Sequence, residues 1–100
     1  MGSNFNVKID PYVLEKIDSI DYYNQIMFKK IDIGISLTSE LVKAKEIIEM
    51  NPYIGKKIDI NKFKYVMSSV KSVLYYEVIE NKKVIAFYDL KPFKQNKNYL

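Results

Sequence analysis

Along this chain the spacing of hydrophobic and polar positions switches from the strand period to the helix period and back, and the switches mark out its elements. Phe5, Val7 and Ile9 alternate with Asn6, Lys8 and Asp10, which is the period of a half-buried strand and predicts a first strand over Asn4 to Ile9. Asp10-Pro11 then reads as a helix start. Aspartate is a good N-cap, and proline at the first helical position gives up an N–H that has no partner there. Val13, Leu14, Ile17, Ile20, Asn24 and Met27 make one mainly apolar helical face, with Glu15, Lys16, Asp18 and Gln25 on the others. The pattern slips between Phe28 and Gly34, where a short connection between two antiparallel helices is expected. From Ile33 the series Leu37, Leu41, Ala44 and Ile48 runs at helical steps. It predicts a second helix from Ile33 to Met50 that stops before Asn51-Pro52, because the residue ahead of a proline is pushed out of helical geometry. Gly55 turns the chain.

The remainder reads as an antiparallel meander. Lys62, Phe63, Lys64 and Tyr65 alternate charge with bulk and continue to Met67, a strand whose lysines share one side. Ser72 to Ile79 is a continuous run of Val, Leu and Tyr of the kind found in a central strand. Glu80-Asn81-Lys82-Lys83 supplies a polar turn, Val84 to Leu90 returns as the last strand, and Pro92 ends it. The architecture these pieces satisfy is α+β, ordered β-α-α-β-β-β, with a helix hairpin packed on one face of a small twisted antiparallel sheet. Lysines and tyrosines are left to collect on the other face. Met1-Gly2-Ser3 reads as a cloning remnant and 4–100 as a single domain. At 100 residues and 48% hydrophobic composition there is enough apolar surface for one core.

Composition narrows the chemistry. Cysteine and histidine are both absent, which excludes disulfides, thiolate or imidazole metal sites, Ser-His-Asp catalysis and a zinc hydrolase. No cofactor or metal is expected. No apolar run approaches the roughly 20 residues of a membrane span, so a cytoplasmic protein is expected. The net charge of +4 conceals a split: residues 1–50 carry six lysines against eight acids, a balance of −2, and residues 51–100 carry ten against four, a balance of +6. The half read as strands should therefore attract anions. All sixteen cations are lysine, a hydrated point charge without the bidentate fork of guanidinium.

The candidate anion contacts are Lys56 and Lys57 after Gly55, Lys62 and Lys64 on the strand, and Lys91 and Lys94 beside Phe93 and Tyr99. Each has an ordinary alternative. Lys62 and Lys64 also suit the solvated face of an edge strand, where lysine deters sheet-to-sheet association, and the tail also suits a loose terminus. Tyr75 and Tyr76 point to opposite faces, so one at most is a site residue and the other belongs to the core. Tyr22 and Tyr23 are expected to cover the helix pair. Asp18 and Asp21 lie three apart and read as exposed helix surface before a paired-carboxylate site.

Three segments in this order carry a resemblance: Glu49-Met50-Asn51-Pro52-Tyr53-Ile54-Gly55, Val73-Leu74-Tyr75-Tyr76-Glu77-Val78, and Phe93-Lys94-Gln95-Asn96. Together with the element order they make nearly the whole chain resemble the RelE/ParE toxin superfamily, also called plasmid stabilisation proteins. The resemblance implies a bacterial toxin of a type II toxin–antitoxin pair, held inactive by an acidic, partly disordered antitoxin, as a homodimer or a toxin–antitoxin hetero-oligomer. RelE-like members cut messenger RNA on the ribosome, whereas ParE-like members poison DNA gyrase without a nuclease step. Nuclease members commonly carry arginine where this chain has Val73, and arginine, histidine or tyrosine at carboxyl-terminal positions where it offers Phe93, Lys94, Gln95 and Tyr99. Lysines on the preceding strand match Lys62 and Lys64. The resemblance thus implies Lys62, Lys64, Lys94 and Tyr99 as the catalytic set of a nuclease, with Lys56, Lys57, Lys91 and Lys94 as target contacts. The missing arginine and histidine favour a ParE-like toxin that acts by binding. A RelE-like mRNA interferase and a non-toxic binding module remain the alternatives.

Overall fold

Two helix starts set the upper layer of the fold, and they are capped in different ways. In the computed structural model, which describes residues 5–29 and 32–93, the Asp10 carboxylate accepts from the Tyr12 N–H at 2.9 Å and Pro11 opens α1 (Pro11–Phe28). Asp32, at the head of α2 (Ile33–Met50), makes no side-chain cap bond. Asp21 of α1 takes its place, accepting from the Gly34 N–H at 2.9 Å. A Cβ on Gly34 would stand 2.9 Å from the Asp21 carboxyl carbon. The second helix therefore begins on a cap that the first supplies, and the hairpin closes there.

The helices lie on one face of a five-stranded sheet made of β1 (Asn6–Ile9), β2 (Lys56–Asp59), β3 (Lys62–Met67), β4 (Ser72–Ile79) and β5 (Val84–Pro92). The strand order is β1-β5-β4-β3-β2. β1 runs parallel to β5, and the other neighbours are antiparallel. Val13 and Ile17 of α1 and Leu37 and Ile48 of α2 meet Leu74, Tyr76 and Phe87 of the sheet in one core, all nearly inaccessible to solvent. No helix among the described residues is long and apolar enough to cross a membrane.

The α+β fold class, both helix spans, and β3 and β4 match the sequence reading. Several features differ. β1 starts at Asn6, with Phe5 outside it, and Asn4 lies outside the described residues. Lys56–Asp59 forms an extra edge strand against β3, which makes the order β-α-α-β-β-β-β. All four of its residues are exposed, and a strand covered on neither face has no apolar alternation to read. β4 is central, as expected, and alternate residues along it are inaccessible on the helix side. On α1 the buried stripe narrows to Val13, Ile17 and Ile20, leaving Leu14 and Met27 about half exposed. Tyr22 is 68% exposed and covers nothing, while Tyr23 packs edge-on against Phe28 at 5.9 Å.

Candidate functional site

The alternation of β4 decides what the face away from the helices contains. With Leu74, Tyr76 and Val78 committed to the core, Val73, Tyr75, Glu77 and Ile79 stand on the open face. The register extends this into rows. One row reads Lys56, Lys64, Tyr75 and Asp89 across β2, β3, β4 and β5. The next reads Asp59, Lys62, Glu77, Ala86 and Lys8 across all five strands. Lys91 sits beyond them, opposite Val73.

The register of β4 and β5 shifts between Tyr75 and Tyr76, so Tyr75 pairs with Asp89 while Tyr76 pairs with Phe87 and Tyr88 is the extra residue. Tyr88 follows the core residue Phe87 and so stands on the open face, its ring 6.3 Å from the Tyr75 ring and inclined to it by 47°. Each ring has a lysine over it: Lys62 Nζ lies 5.7 Å from the Tyr88 centroid and Lys91 Nζ 5.4 Å from that of Tyr75. Burial pushes the Tyr88 hydroxyl above its ordinary value of 10.0, and the carboxylates of Asp89 and Glu77 push it further the same way. Near neutral pH that phenol is a proton donor and not a base.

The face is mixed in charge rather than uniformly basic. Asp89 is turned to Lys16 of α1 at 3.6 Å and to Lys91 at 3.9 Å. Lys56, Lys62 and Lys64 form no ion pair among the described residues, although Asp59 and Glu77 flank them in register. Among the described residues the cations of this face without an ion pair stand on both its sides, Lys56, Lys62 and Lys64 on β2 and β3 and Lys8 on β1, with the aromatic rings between them on β4 and β5. Among the described residues no group of three or more carboxylates is placed to hold a metal ion.

The positioning of Lys56 depends on the segment Asn51 to Gly55. Tyr76 donates its hydroxyl proton to the Pro52 carbonyl at 2.8 Å and accepts from the Gly55 N–H at 3.0 Å. Its ring stacks on Phe63 at 5.5 Å, and Tyr53 closes edge-on against Phe63 at 5.6 Å. Gly55 is required by proximity, since its φ is not positive and a Cβ would meet the Lys64 carbonyl oxygen at 2.6 Å and the Tyr76 hydroxyl at 2.8 Å. The turn motif and the paired tyrosines of the central strand, read separately in the sequence, are two halves of one contact. Burial raises the Tyr76 pKa as well, partly offset by the Gly55 N–H.

Of the sequence candidates, Lys56, Lys62 and Lys64 come together. Lys57 pairs with the buried Phe63 and so lies on the helix side of the sheet, apart from Lys56. Lys91 is engaged with Asp89 and Tyr75. Lys94, Gln95, Asn96 and Tyr99 lie outside the described residues. Asp21 is committed to the hairpin and Asp18 is exposed, so the two form no carboxylate pair. Tyr88 was missed, although alternation from the apolar Ile85 and Phe87 already places it on the face opposite to theirs. A groove of about 720 Å³ opens on the helix side, between Tyr23, Phe28 and Leu37 of the hairpin and Val70, Lys71 and Phe93.

No protein-family model matches the chain, and no curated protein sequence matches it. Solved structures do. The isolated E. coli RelE toxin superposes with a TM-score of 0.59 at 16% identity, over 95% of this chain and 90% of that one. The toxin–antitoxin complex RelBE of E. coli gives 0.60 at 17% identity, over 91% and 99%. The archaeal RelE–RelB complex from Pyrococcus horikoshii OT3 gives 0.56 at 18% identity, over 92% and 98%. The fold is that of the RelE toxins. In this RelE-like fold the two lysines matched by the sequence resemblance, Lys62 and Lys64, stand side by side on the open face, and Val73 shares that face with them.

Proposed function

We propose that this protein is the toxin of a toxin–antitoxin pair, neutralised by an acidic antitoxin, and that its target is messenger RNA engaged on the open face of the sheet. The observation that carries the reading is the match of at least 91% of the chain to RelE toxins, two of them in complex with an antitoxin. The RNA branch draws further support from Lys56, Lys62 and Lys64, which share that face and form no ion pair among the described residues. The neighbours are RelE toxins, so they lend the ParE-like, gyrase-directed preference no support.

Metal-free cleavage of RNA needs a group to take the 2′-hydroxyl proton, cations on the phosphate and a donor for the departing 5′-oxygen. Lys62 and Lys64 supply the cations, and a protonated tyrosine supplies the donor. With valine at position 73 and no arginine in the chain, one preorganised donor is missing. That loss typically costs about 2.7–4 kcal/mol of transition-state stabilisation. Slow cleavage is therefore expected.

Induced expression in a bacterial host should arrest growth, and mapping of mRNA 5′ ends should show defined, ribosome-dependent cuts. The double variant Lys62→Ala/Lys64→Ala should remove both effects while keeping its circular dichroism spectrum. Growth arrest with an induced DNA-damage response and intact mRNA would instead favour the gyrase-directed reading, and growth without any defect the binding module.

A further inference from the structure

Aromatic rings on an uncovered sheet face have two uses: they stabilise their own sheet through cross-strand pairs, or they offer flat surfaces to a ligand. The Tyr75–Tyr88 pair keeps surface that a ligand can use. The register of Tyr76 with Phe87, continued by one step, would set the two residues directly opposite, and the shift pairs Tyr75 with Asp89 instead while the rings stay 6.3 Å apart. Their planes are inclined by 47°, so they do not close on each other in a stack. Both are partly exposed, and among the described residues no element covers the face on which they stand.

Three lysines of the open face lie on the β2 and β3 side of the pair, while Lys91 and Lys8 stand on the β5 and β1 side. Lys64 is the direct neighbour of Tyr75 on β3, and Lys56 is the next residue along the same row. Lys62 reaches the Tyr88 ring from the same two strands. On the far side the acid opposite Tyr75 is occupied, because Asp89 is held by Lys16 and Lys91. Resting on the RNA reading above, we infer that Tyr75 and Tyr88 form a stacking platform for two unpaired bases of single-stranded RNA, whose phosphates run over Lys56, Lys62 and Lys64.

Neighbouring strands lie about 4.8 Å apart, so a base laid on Tyr75 puts its own backbone over β3 and β2, where the free ammonium groups are. The raised pKa keeps the Tyr88 phenol neutral beside a phosphate. A duplex does not fit this arrangement, since its bases already stack on one another and present no free face.

The test is fluorescence anisotropy with the full chain and a fluorescein-labelled, unstructured RNA of about eight nucleotides, with a duplex RNA as comparison. Tyr75→Leu and Tyr88→Leu should each weaken binding about fivefold or more, whereas Tyr75→Phe and Tyr88→Phe, which keep the ring, should stay within about twofold of wild type. A 2-aminopurine placed in the RNA should be quenched on wild type and on the Phe variants and not on Tyr75→Leu/Tyr88→Leu. Wild-type affinity in both Leu variants, with binding still weakened by Lys64→Ala, would overturn the platform and leave the RNA reading standing. Equal affinity for the duplex would overturn the platform as well. No RNA binding by the wild-type chain at any salt would remove the RNA reading itself.

Discussion

Tyr75 and Tyr76 differ by one position and serve opposite sides of the sheet. Strand geometry required that division, but which tyrosine would be buried depended on the face the helices cover. Tyr76 is the buried one, with a stacking partner and two hydrogen bonds from a single hydroxyl, and through them it holds the turn that starts β2. Tyr76→Phe leaves the Pro52 carbonyl and the Gly55 N–H without this partner. It should lower stability by about 1–3 kcal/mol, read as a lower urea midpoint at unchanged slope. The hydroxyl also sets a pH dependence. Its folded pKa lies above the unfolded value of 10.0, so its contribution is fully present below pH 10 and is lost as the pH rises from there through the folded value. Wild-type stability should accordingly fall more steeply above pH 10 than that of Tyr76→Phe, in urea titrations run at a series of alkaline pH values.

The elements divide by how local their determinants are. Both helix spans were legible because Asp10-Pro11 starts one and Asn51-Pro52 stops the other through chemistry within a few residues. The cap of α2 was not legible, since Asp21 lies thirteen positions from the N–H it binds. Asp21→Ala should cost about 0.5–2 kcal/mol, while Asp32→Ala, at the nominal cap, should be close to neutral. For a domain of this size thermal melts would separate the two, at roughly 4–8 °C per kcal/mol. β2 was read as a turn and the β5 bulge was missed for a related reason. An edge strand needs no buried face, and an extra residue in a ladder is defined by its partner strand.

At the scale of the molecule the charge split of the sequence becomes a geometrical one. Lys56 and Lys57 are adjacent in the chain, yet register sends Lys56 to the open face with Lys64 and Lys57 to the helix side with Phe63. The salt dependence of RNA binding should respect this division. Removing Lys56, Lys62 and Lys64 by alanine should each lower the slope of log K against log salt by about 0.7, and Lys57→Ala should leave it near the wild-type value. The sequence by itself determined the α+β class, the helix boundaries, the strand periods and the absence of histidine, cysteine and arginine chemistry, because each of these is fixed by composition or by neighbours along the chain. Tertiary structure alone decided which face stays open, that Tyr88 joins Tyr75 there, that Lys56, Lys62 and Lys64 come together beside them without ion pairs among the described residues, and that the Asn51–Gly55 turn is fastened to Tyr76. Those outcomes depend on pairing register and on which side the helices cover, and both are set by contacts between residues far apart in the chain.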